Sequence, residues 1–380
     1  MAAITVTQTP PNAEPENPLA RLSEEQIEQI AREFDAIGDA VRADLGERDA
    51  HYIRSTIALH RKLVLAARAL LTAGSSWRAS WLLGTGALSV AKILENMEIG
   101  HNVMHGQWDW MNDPDINSKS WDWDTASPAD SWRHSHNYEH HTFTNIRGKD
   151  RDLGYEIMRV DPHQKWHPVY LLQPLYNLLL MGFFEWGVAM HDINFEAVRR
   201  GEKSKEQVVG ELKAIGVKAR RQVVKDYIAF PALAALLARR GKRARAFKAT
   251  LAANFSANII RNVWAHGIIF CGHFPDGTHT FSEREVARET RGGWYVRQLL
   301  GSANIEGSPP FHFLAGNLSF QVEHHLYPDL PSSRYAEIAP RVREVCERHD
   351  LPYNTGPLSR QLGTVHRTIL RLAFPGGRSR

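Results

Sequence analysis

The chain has 380 residues, of which 43% are hydrophobic and 23% are charged, and this ordinary balance excludes global disorder and fibrous repeats. Its net charge of +4 is mildly basic and does not by itself indicate a class of partner. Two cysteines, Cys271 and Cys346, are too few for a disulfide framework or a cysteine-rich zinc module, which favours a reducing compartment. Histidine is enriched at 19 of 380 residues, which indicates a role for imidazole.

The N-terminal part divides into a lead-in and one helix. Residues 1–22 contain four prolines and are predicted to be disordered. From Ser23, a residue type that favours the N-cap of a helix, apolar residues recur every three or four positions. We therefore predict an amphipathic helix over 23–50 with a solvated face. Residues 51–380 are predicted to form a single domain.

The rest of the chain alternates apolar segments with histidine-bearing connections. The apolar segments are Leu63–Leu71, Trp77–Leu94, Trp166–Phe184, Tyr227–Ala238 and Ala249–Pro275. A membrane span needs about 20 predominantly apolar residues, and only Trp166–Phe184 and Ala249–Pro275 approach that length uninterrupted. The mean hydropathy of −0.38 is low for a polytopic protein, so hydropathy leaves a membrane protein and a large helical core as open alternatives. The near absence of period-2 alternation predicts a mainly helical protein.

Three histidine motifs stand out in the sequence. They are His101-Asn-Val-Met-His105, His136-Asn-Tyr-Glu-His140-His141 and Gln321-Val-Glu-His324-His325. A motif of the form HxxxHH is expected by chance only about 0.05 times in a chain of this composition. Residues four apart share a helix face and can direct two imidazoles to one point, whereas the adjacent His140 and His141 diverge by about 100°, which favours two metal ions. Neutral imidazole suits Fe, Zn, Cu or Ni.

Two similar patterns carry less weight. His163 and His167 also have HxxxH spacing, but Pro162 and Pro168 disfavour a regular helix there, so we do not expect them to bind metal. Glu98-Ile-Gly-His101 matches one Glu-x-x-His element of the soluble di-iron bundles. That architecture requires two such elements, and the sequence offers no second, which argues against a carboxylate-bridged centre.

The three motifs resemble, in the same order, the HxxxH, HxxxHH and QxxHH boxes of the membrane fatty-acid desaturases. The flanking Thr142-Phe-Thr-Asn145 and Leu326-Tyr-Pro328 match the family as well. Further segments are similar to bacterial NADPH-dependent stearoyl-CoA 9-desaturases: Gly106–Pro114, Cys271–Gly277 and Asp329–Tyr335. The resemblance extends from about residue 50 to the C-terminus.

This resemblance implies an all-α integral membrane protein, with four transmembrane helices and a cytosolic helical cap that holds a histidine-ligated di-iron centre. The corresponding spans are about 60–76, 77–97, 225–240 and 249–271, which makes Trp166–Ala189 an interfacial or cap helix. The expected location is the bacterial cell membrane, with the active site and both termini on the cytoplasmic side. The basic run Arg239–Arg245 would then lie in an external loop, against the positive-inside rule.

The resemblance also implies a set of metal ligands. The box histidines expected to bind iron are His101, His105, His136, His140, His141, His324 and His325. An Asn-x-x-x-His motif on the last span of animal acyl-CoA desaturases corresponds to Asn262-Val-Trp-Ala-His266, so His266 is expected to bind directly and Asn262 through water. Gln321 stands where those enzymes have another histidine and is a further candidate. Carboxylates that orient metal-bound imidazoles are expected among Glu98, Asp109, Glu139 and Glu323.

The function implied is O₂-dependent desaturation of a long-chain fatty acyl-CoA, stearoyl-CoA to oleoyl-CoA at Δ9, at two non-haem Fe²⁺ ions. The lipid bilayer is expected as a further partner of the protein. Electrons would come from NADPH through a separate reductase, because the sequence has neither the His-Pro-Gly-Gly segment of a fused cytochrome nor a GxGxxG dinucleotide motif. The alternatives are a different regiospecificity (Δ6, linoleoyl-CoA type), an acyl-lipid substrate, a fatty-acid hydroxylase, and a histidine-rich membrane metal transporter. Transporter ligands would lie near the bilayer midplane. No nucleic-acid partner is expected.

Overall fold

The computed structural model describes residues 18–376. Residues 1–17 of the predicted disordered lead-in 1–22 lie outside the described residues. Of the remainder, Pro18–Arg21 forms a 3-10 helix. Ser23 Oγ accepts a hydrogen bond from the Gln26 backbone N–H at 3.2 Å, and Gln26 Oε1 accepts one from the Ser23 N–H at 2.9 Å. This reciprocal pair is a capping box, which confirms the predicted N-cap. The helix that it starts ends at Ala43.

Helices account for most of the described chain, so the helical part of the fold prediction is confirmed. The α-helices are α1 (Glu24–Ala43), α2 (Glu47–Gly74), α3 (Arg78–Ile93), α4 (Asn102–Met104), α5 (Ala129–Trp132), α6 (His141–Phe143), α7 (Gln173–Gly182), α8 (Phe184–His191), α9 (Phe195–Arg199), α10 (Lys205–Val223), α11 (Phe230–Leu237), α12 (Arg243–His273), α13 (Arg291–Leu300), α14 (Pro309–Leu314), α15 (Gln321–Leu326), α16 (Tyr335–Arg348) and α17 (Leu358–Leu372). The strands β1 (Asn304–Glu306) and β2 (Thr355–Pro357) pair in parallel, with Asn304 opposite Thr355.

Helical segments of other types connect these elements. Three segments are π-helical: Leu94–His101, Arg133–His140 and Val224–Ala229. The further 3-10 helices are Asp109–Met111, Leu153–Glu156, Pro168–Leu172, Arg240–Lys242 and Ser332–Arg334. The first two π-helical segments contain histidines of the first two boxes, and they therefore position part of the candidate site.

Two groups of packed helices frame that site. In one, α2 packs against α3, and α12 packs against both α3 and α11. In the other, α1, α13, α15 and α16 enclose a core that includes Phe34, Tyr295 and Tyr327. The π-helical continuation of α3 ends at His101, and α12 ends at His273. Because these two histidines line one cavity, both helices direct their C-terminal ends to the same place.

The prediction of four transmembrane helices, at about 60–76, 77–97, 225–240 and 249–271, is wrong. Within residues 18–376, the structure contains no helix that combines the length and the apolar character a membrane crossing requires. α12 is long enough at 31 residues, but its buried face carries Asn254, Asn258 and Arg261, whereas Phe255 and Val263 are exposed. The location at the bacterial cell membrane stays a prediction.

A buried ionic cluster joins α2, α3 and α12. The fully buried Asp226 carboxylate accepts hydrogen bonds from Arg68 Nη2 at 2.7 Å and from Lys92 Nζ at 2.8 Å. Asn254 Nδ2 donates to the backbone oxygen of Asp226 at 2.7 Å. Burial alone would raise the pKa of the Asp226 carboxyl, but the neighbouring cations, with Lys92 first and then Lys225 and Arg68, hold that pKa below its ordinary value. The carboxylate is therefore charged and holds three helices together.

We expect Asp226→Ala to lower the free energy of unfolding by about 3–5 kcal/mol, because removing one member of a buried ion pair leaves the other charges uncompensated. The matched control is Glu28→Ala, whose partner Arg32 and own side chain are 66% and 74% exposed. Such an exposed pair contributes about 0–1 kcal/mol. Denaturant titration of both variants measures the difference. Equal stability of the two variants would contradict the role given to Asp226.

Candidate metal centre

The first histidine box begins, and most of the second lies, in segments that are not regular α-helix. Leu94–His101 and Arg133–His140 are π-helical, a conformation that is rare and often occurs at functional sites. The predicted placement of histidines four residues apart on the same side of a helix is nevertheless present. The ring centroids of His101 and His105 are 4.7 Å apart, and those of His136 and His140 are 5.1 Å apart.

The seven box histidines converge into two groups. In each group, one ring nitrogen per residue lies within 4.8 Å of the others. The groups are His101, His105, His136 and His324, and then His140, His141 and His325. They are in contact, because the ring centroid of His141 is 4.6 Å from that of His105 and 4.8 Å from that of His324. Two adjacent clusters of imidazoles are therefore available for metal ions.

His273 joins this assembly, although the sequence analysis did not select it. Its ring centroid lies 4.7 Å from that of His140 and 4.9 Å from that of His325. Gln321 Nε2 is 3.1 Å from His273 Nε2, so the glutamine candidate also lies beside the cluster. His273 belongs to the Cys271–Gly277 segment that supported the family resemblance, and that segment was the available signal for it.

The structure does not bring Asn262 and His266 to the histidine cluster. His266 Nε2 lies 3.0 Å from Asn177 Oδ1, and its ring stacks on Phe270 with centroids 3.7 Å apart. Asn262 Oδ1 accepts a hydrogen bond from Arg261 Nε at 3.0 Å. Because a helix rises about 1.5 Å per residue, His266 lies about 10 Å before His273 along α12. The metal role expected for His266 and Asn262 stays a prediction, and the contacts of their side chains do not support it.

Two aspartates that follow the second box orient its imidazoles. His140 Nδ1–H donates to the Asp150 carboxylate at 3.1 Å, and His136 Nδ1–H points to Asp152 Oδ2 at 3.4 Å. Asp152 Oδ1 also accepts a hydrogen bond from His191 Nε2 at 3.0 Å. Since each Nδ1 is engaged, the Nε2 atom of His136 and of His140 is left free for a metal ion.

Neutral groups orient the third box in the same way. His325 Nδ1–H donates to Gln298 Oε1 at 2.9 Å, and His324 Nδ1–H points to the Tyr335 hydroxyl oxygen at 3.2 Å. The Tyr335 hydroxyl donates its own proton to the Tyr327 backbone oxygen at 3.1 Å, so it acts as an acceptor toward His324. Gln298 on α13 was not selected in the sequence analysis, whereas Tyr335 on α16 belongs to the segment Asp329–Tyr335 that supported the family resemblance.

The carboxylates expected to orient the histidines bind other groups instead. Glu98 accepts hydrogen bonds from Tyr52 and Ser332, each at 2.8 Å. Glu323 accepts from Asn304 and Tyr353, Glu139 pairs with Arg151, and Asp109 accepts from Ser118. Burial raises the pKa of both Glu98 and Glu323 to about 7. The hydrogen bonds of these four side chains therefore go to groups other than the box histidines.

The donor set fits metal ions of the kind that imidazole prefers. Burial lowers the pKa well below its ordinary value for His101, His105, His141, His273, His324 and His325, so these rings are neutral. Burial also acts on His140, but the Asp150 carboxylate outweighs it and raises the pKa. The buried Nε2 atoms without a hydrogen-bond partner are those of His105, His136, His140, His141 and His325. Buried polar atoms are normally paired, and metal ions such as iron or zinc would satisfy these.

A cavity adjoins the histidines. His101, His136 and His273 are among the residues that line it. Its walls carry Trp123 and Phe184 among other aromatic and aliphatic side chains. A largely apolar cavity with a few convergent polar groups is typical of a small-molecule site, and this one suits a hydrocarbon chain.

The comparison with known proteins agrees with this site. Residues 76–357 match the model of the fatty acid desaturase family. The chain is 49% identical over 356 residues to an NADPH-dependent stearoyl-CoA 9-desaturase of Mycobacterium tuberculosis, which covers 94% of this chain and 82% of that protein. It is 23% identical over 293 residues to an sn-1 linoleoyl-lipid 6-desaturase of Synechocystis, covering 73% of this chain and 76% of the relative.

The chain therefore belongs to the fatty acid desaturase family, and the family prediction is confirmed. It is an oxidoreductase of lipid metabolism, as the sequence analysis predicted. Family membership and the histidine groups together are compatible with metal binding.

We expect His273→Ala to lose most of the bound metal, because the ring of His273 contacts both His140 and His325. His266→Ala should retain its metal, since His266 is bonded to Asn177. The two histidines are on the same helix and both are buried, so each variant controls for the effect of the other on folding. Metal content per folded, monodisperse protein is the measurement. The reverse pattern would restore the original assignment of His266.

We further expect Asp150→Ala to weaken metal affinity roughly 10- to 100-fold, the usual effect of removing the acceptor behind a ligating histidine. The control is Glu139→Ala. Glu139 lies in the same segment as the second box but pairs with Arg151. Competition with a chelator of known affinity measures both variants, and equal affinities would remove Asp150 from the metal site.

Proposed function

We propose that this protein catalyses the O₂-dependent desaturation of a long-chain fatty acyl-CoA, converting stearoyl-CoA to oleoyl-CoA with a double bond at Δ9. The centre that we propose contains two non-haem Fe²⁺ ions. The two electrons for each turnover would come from NADPH through a separate reductase. The observation that carries the proposal is the 49% identity to a stearoyl-CoA 9-desaturase over 94% of the chain.

The arrangement of the histidines supports a centre of two ions. The proposed ligands are the seven box histidines together with His273, while Gln321 lies beside His273. Bound iron would supply the oxidising chemistry: with O₂, two electrons and two protons, one hydrogen leaves each of two adjacent methylene carbons, and the products are one double bond and two water molecules. Hydroxylation would instead insert one oxygen atom, so the identity of the product separates these reactions.

The protein itself has three tasks in this reaction. Asp150, Asp152, Gln298 and Tyr335 hold the Nδ1 side of their histidines and thereby fix the direction in which each ring presents Nε2. The apolar cavity walls bind the acyl chain and exclude water from its reacting segment. Because His101, His136 and His273 line the cavity, an acyl chain bound there lies beside the proposed metal ligands.

We expect purified, iron-loaded protein to form no oleoyl-CoA from stearoyl-CoA, NADPH and O₂ alone, and to begin turnover when a compatible reductase is added. The reason is that the sequence contains no dinucleotide motif of its own. Gas chromatography of the products, with the double-bond position mapped, is the measurement. His163→Ala serves as a control that should remain active, because His163 contacts Asp161 and lies outside the two histidine groups.

Three outcomes would contradict the proposal. Product without added reductase would show that the chain carries its own electron-transfer site. A double bond at C6, or activity on acyl lipids but not on acyl-CoA, would replace the regiochemistry or the substrate proposed here. Protein that contains zinc and no iron, with no product under any condition, would favour the metal-transport alternative.

A further inference from the structure

Tryptophan is concentrated between the first two histidine boxes. Less than a tenth of the chain, residues 106–135, holds five of its 11 tryptophans: Trp108, Trp110, Trp121, Trp123 and Trp132. The last three pack together around Met104, which lies inside the first box. We call Trp121, Trp123 and Trp132 the tryptophan relay, because their contacts lead from the histidines to the protein surface.

The inner member of the relay contacts the proposed metal ligands. Trp132 ends α5 and stands four residues before His136. Its ring stacks on that of His136, with centroids 4.6 Å apart and planes 23° apart. The same indole has edge contacts with His101 at 5.1 Å and with His105 at 5.6 Å. Trp132 therefore touches three of the four members of the first histidine group, and it is 5% exposed.

The other two members extend the contact outward. The ring centroid of Trp123 is 5.0 Å from that of Trp132, and its indole N–H donates to the Ser127 backbone oxygen at 2.8 Å. Trp121 packs against this pair, is only half-buried and lines a surface groove together with the exposed Arg61. Aromatic contact is thus continuous from the histidines to a position that solvent molecules can reach.

The chemistry of indole sets the direction in which such a relay works. Indole is among the most easily oxidised side chains, but it has no accessible one-electron reduced form. An electron therefore moves inward only when Trp132 faces a strong oxidant, and the vacancy is then filled from Trp123 and in turn from Trp121. A centre able to remove hydrogen from a methylene group is such an oxidant. Trp132 also lines the cavity, so it competes with a bound acyl chain for the oxidising equivalents.

We infer that the tryptophan relay protects the site by reducing the oxidised centre when O₂ has reacted and no acyl chain is bound. This inference rests on the proposed function. During desaturation, two electrons and two protons come from the two C–H bonds that break. Without a substrate, the two electrons come from the relay in two steps and the two protons come from water, so that O₂ still ends as two water molecules.

The relay must itself be refilled from outside. A one-electron reductant in solution, such as ascorbate, gives one electron to Trp121 in each step. If no reductant is present, an indole that has lost two electrons adds the oxygen of one water molecule and releases two protons. The product is a hydroxylated tryptophan, which peptide mass spectrometry detects at its position in the sequence.

The first test incubates iron-loaded protein with NADPH, a compatible reductase and O₂, without acyl-CoA and with catalase to remove free peroxide. We expect hydroxylation of the relay tryptophans and its loss when stearoyl-CoA or ascorbate is added. Trp264 is the internal control, because it is also half-buried but packs on Phe311 in a different cluster. Zinc-loaded protein should show no hydroxylation of the relay above that of Trp264.

The second test removes the outer member of the relay. In Trp121→Phe, hydroxylation should move inward to Trp123 and Trp132, and ascorbate should no longer prevent it. The initial desaturation rate should be retained, since Trp121 lies outside the cavity lining. The matched control is Trp264→Phe, which also replaces a half-buried indole and should keep the wild-type pattern of hydroxylation.

A third measurement needs no iron. A photoexcited ruthenium complex oxidises zinc-loaded protein from solution, and hydroxylated Trp132 is measured in the wild type and in Trp121→Phe. Because Trp132 is buried, we expect its oxidation in the wild type and its loss in the variant. Equal oxidation of Trp132 in both proteins, or none in either, would show that the relay does not carry electrons and would overturn the inference.

The outcomes separate this inference from the proposed function. If the wild type desaturates stearoyl-CoA but its relay is hydroxylated no more than Trp264 when acyl-CoA is absent, the inference fails and the proposed function stands. If the iron-loaded protein forms no desaturated product, the proposed function fails. The photochemical comparison still decides in that case whether electrons pass between Trp121 and Trp132.

Discussion

The candidate site depends on one constraint, which is that eight imidazoles are buried together. Burial lowers the pKa of every one of them except His140, whose partner Asp150 raises it. Each neutral ring has one N–H and one bare nitrogen, so the protein must choose which nitrogen faces inward. It does so for His136, His140, His324 and His325 by giving each Nδ1 a partner outside the cluster. These partners come from α13, from α16 and from the segment after the second box. The rings come from the three boxes and from His273, and the fold brings the two sets together.

The sequence predicted the box histidines because their information is local. The spacing of two histidines along a helix determines whether their rings point to the same side. Rings four residues apart in the first two boxes remain neighbours although these boxes are partly π-helical. His273 could not be found in this way, since its contacts with His140 and His325 arise only when α12 packs against the boxes. Asp150 and Asp152 were missed for a related reason. They follow the second box through a turn that begins at Asn145, where φ is 56°, and nothing in the sequence says that the chain folds back on the histidines.

The predicted spans failed because α12 has an unusual distribution of polarity. Its buried face holds amides and a guanidinium, and its exposed face holds Phe255 and Val263. The mean hydropathy of the segment averages its polar buried face with its apolar exposed face, so the value describes neither face. Two of the polar residues that lower the average, Asn254 and Asn258, contact Asp226 and help to hold the helices together. Asn262 lies on the same buried side of the helix, and its side chain is bonded to Arg261 and to the Gly182 backbone oxygen.

The order of the ligands along the chain has a consequence for biosynthesis. His101 belongs to the same ligand group as His324, although 223 residues separate them. At a synthesis rate of about 5–20 residues per second, the first box leaves the ribosome roughly 10 to 45 s before the third. During that interval neither histidine group has all of its members, and α16, which carries Tyr335, has not yet been made. The complete set of metal ligands therefore exists only when translation is nearly finished, and metal loading must follow the folding of almost the entire polypeptide.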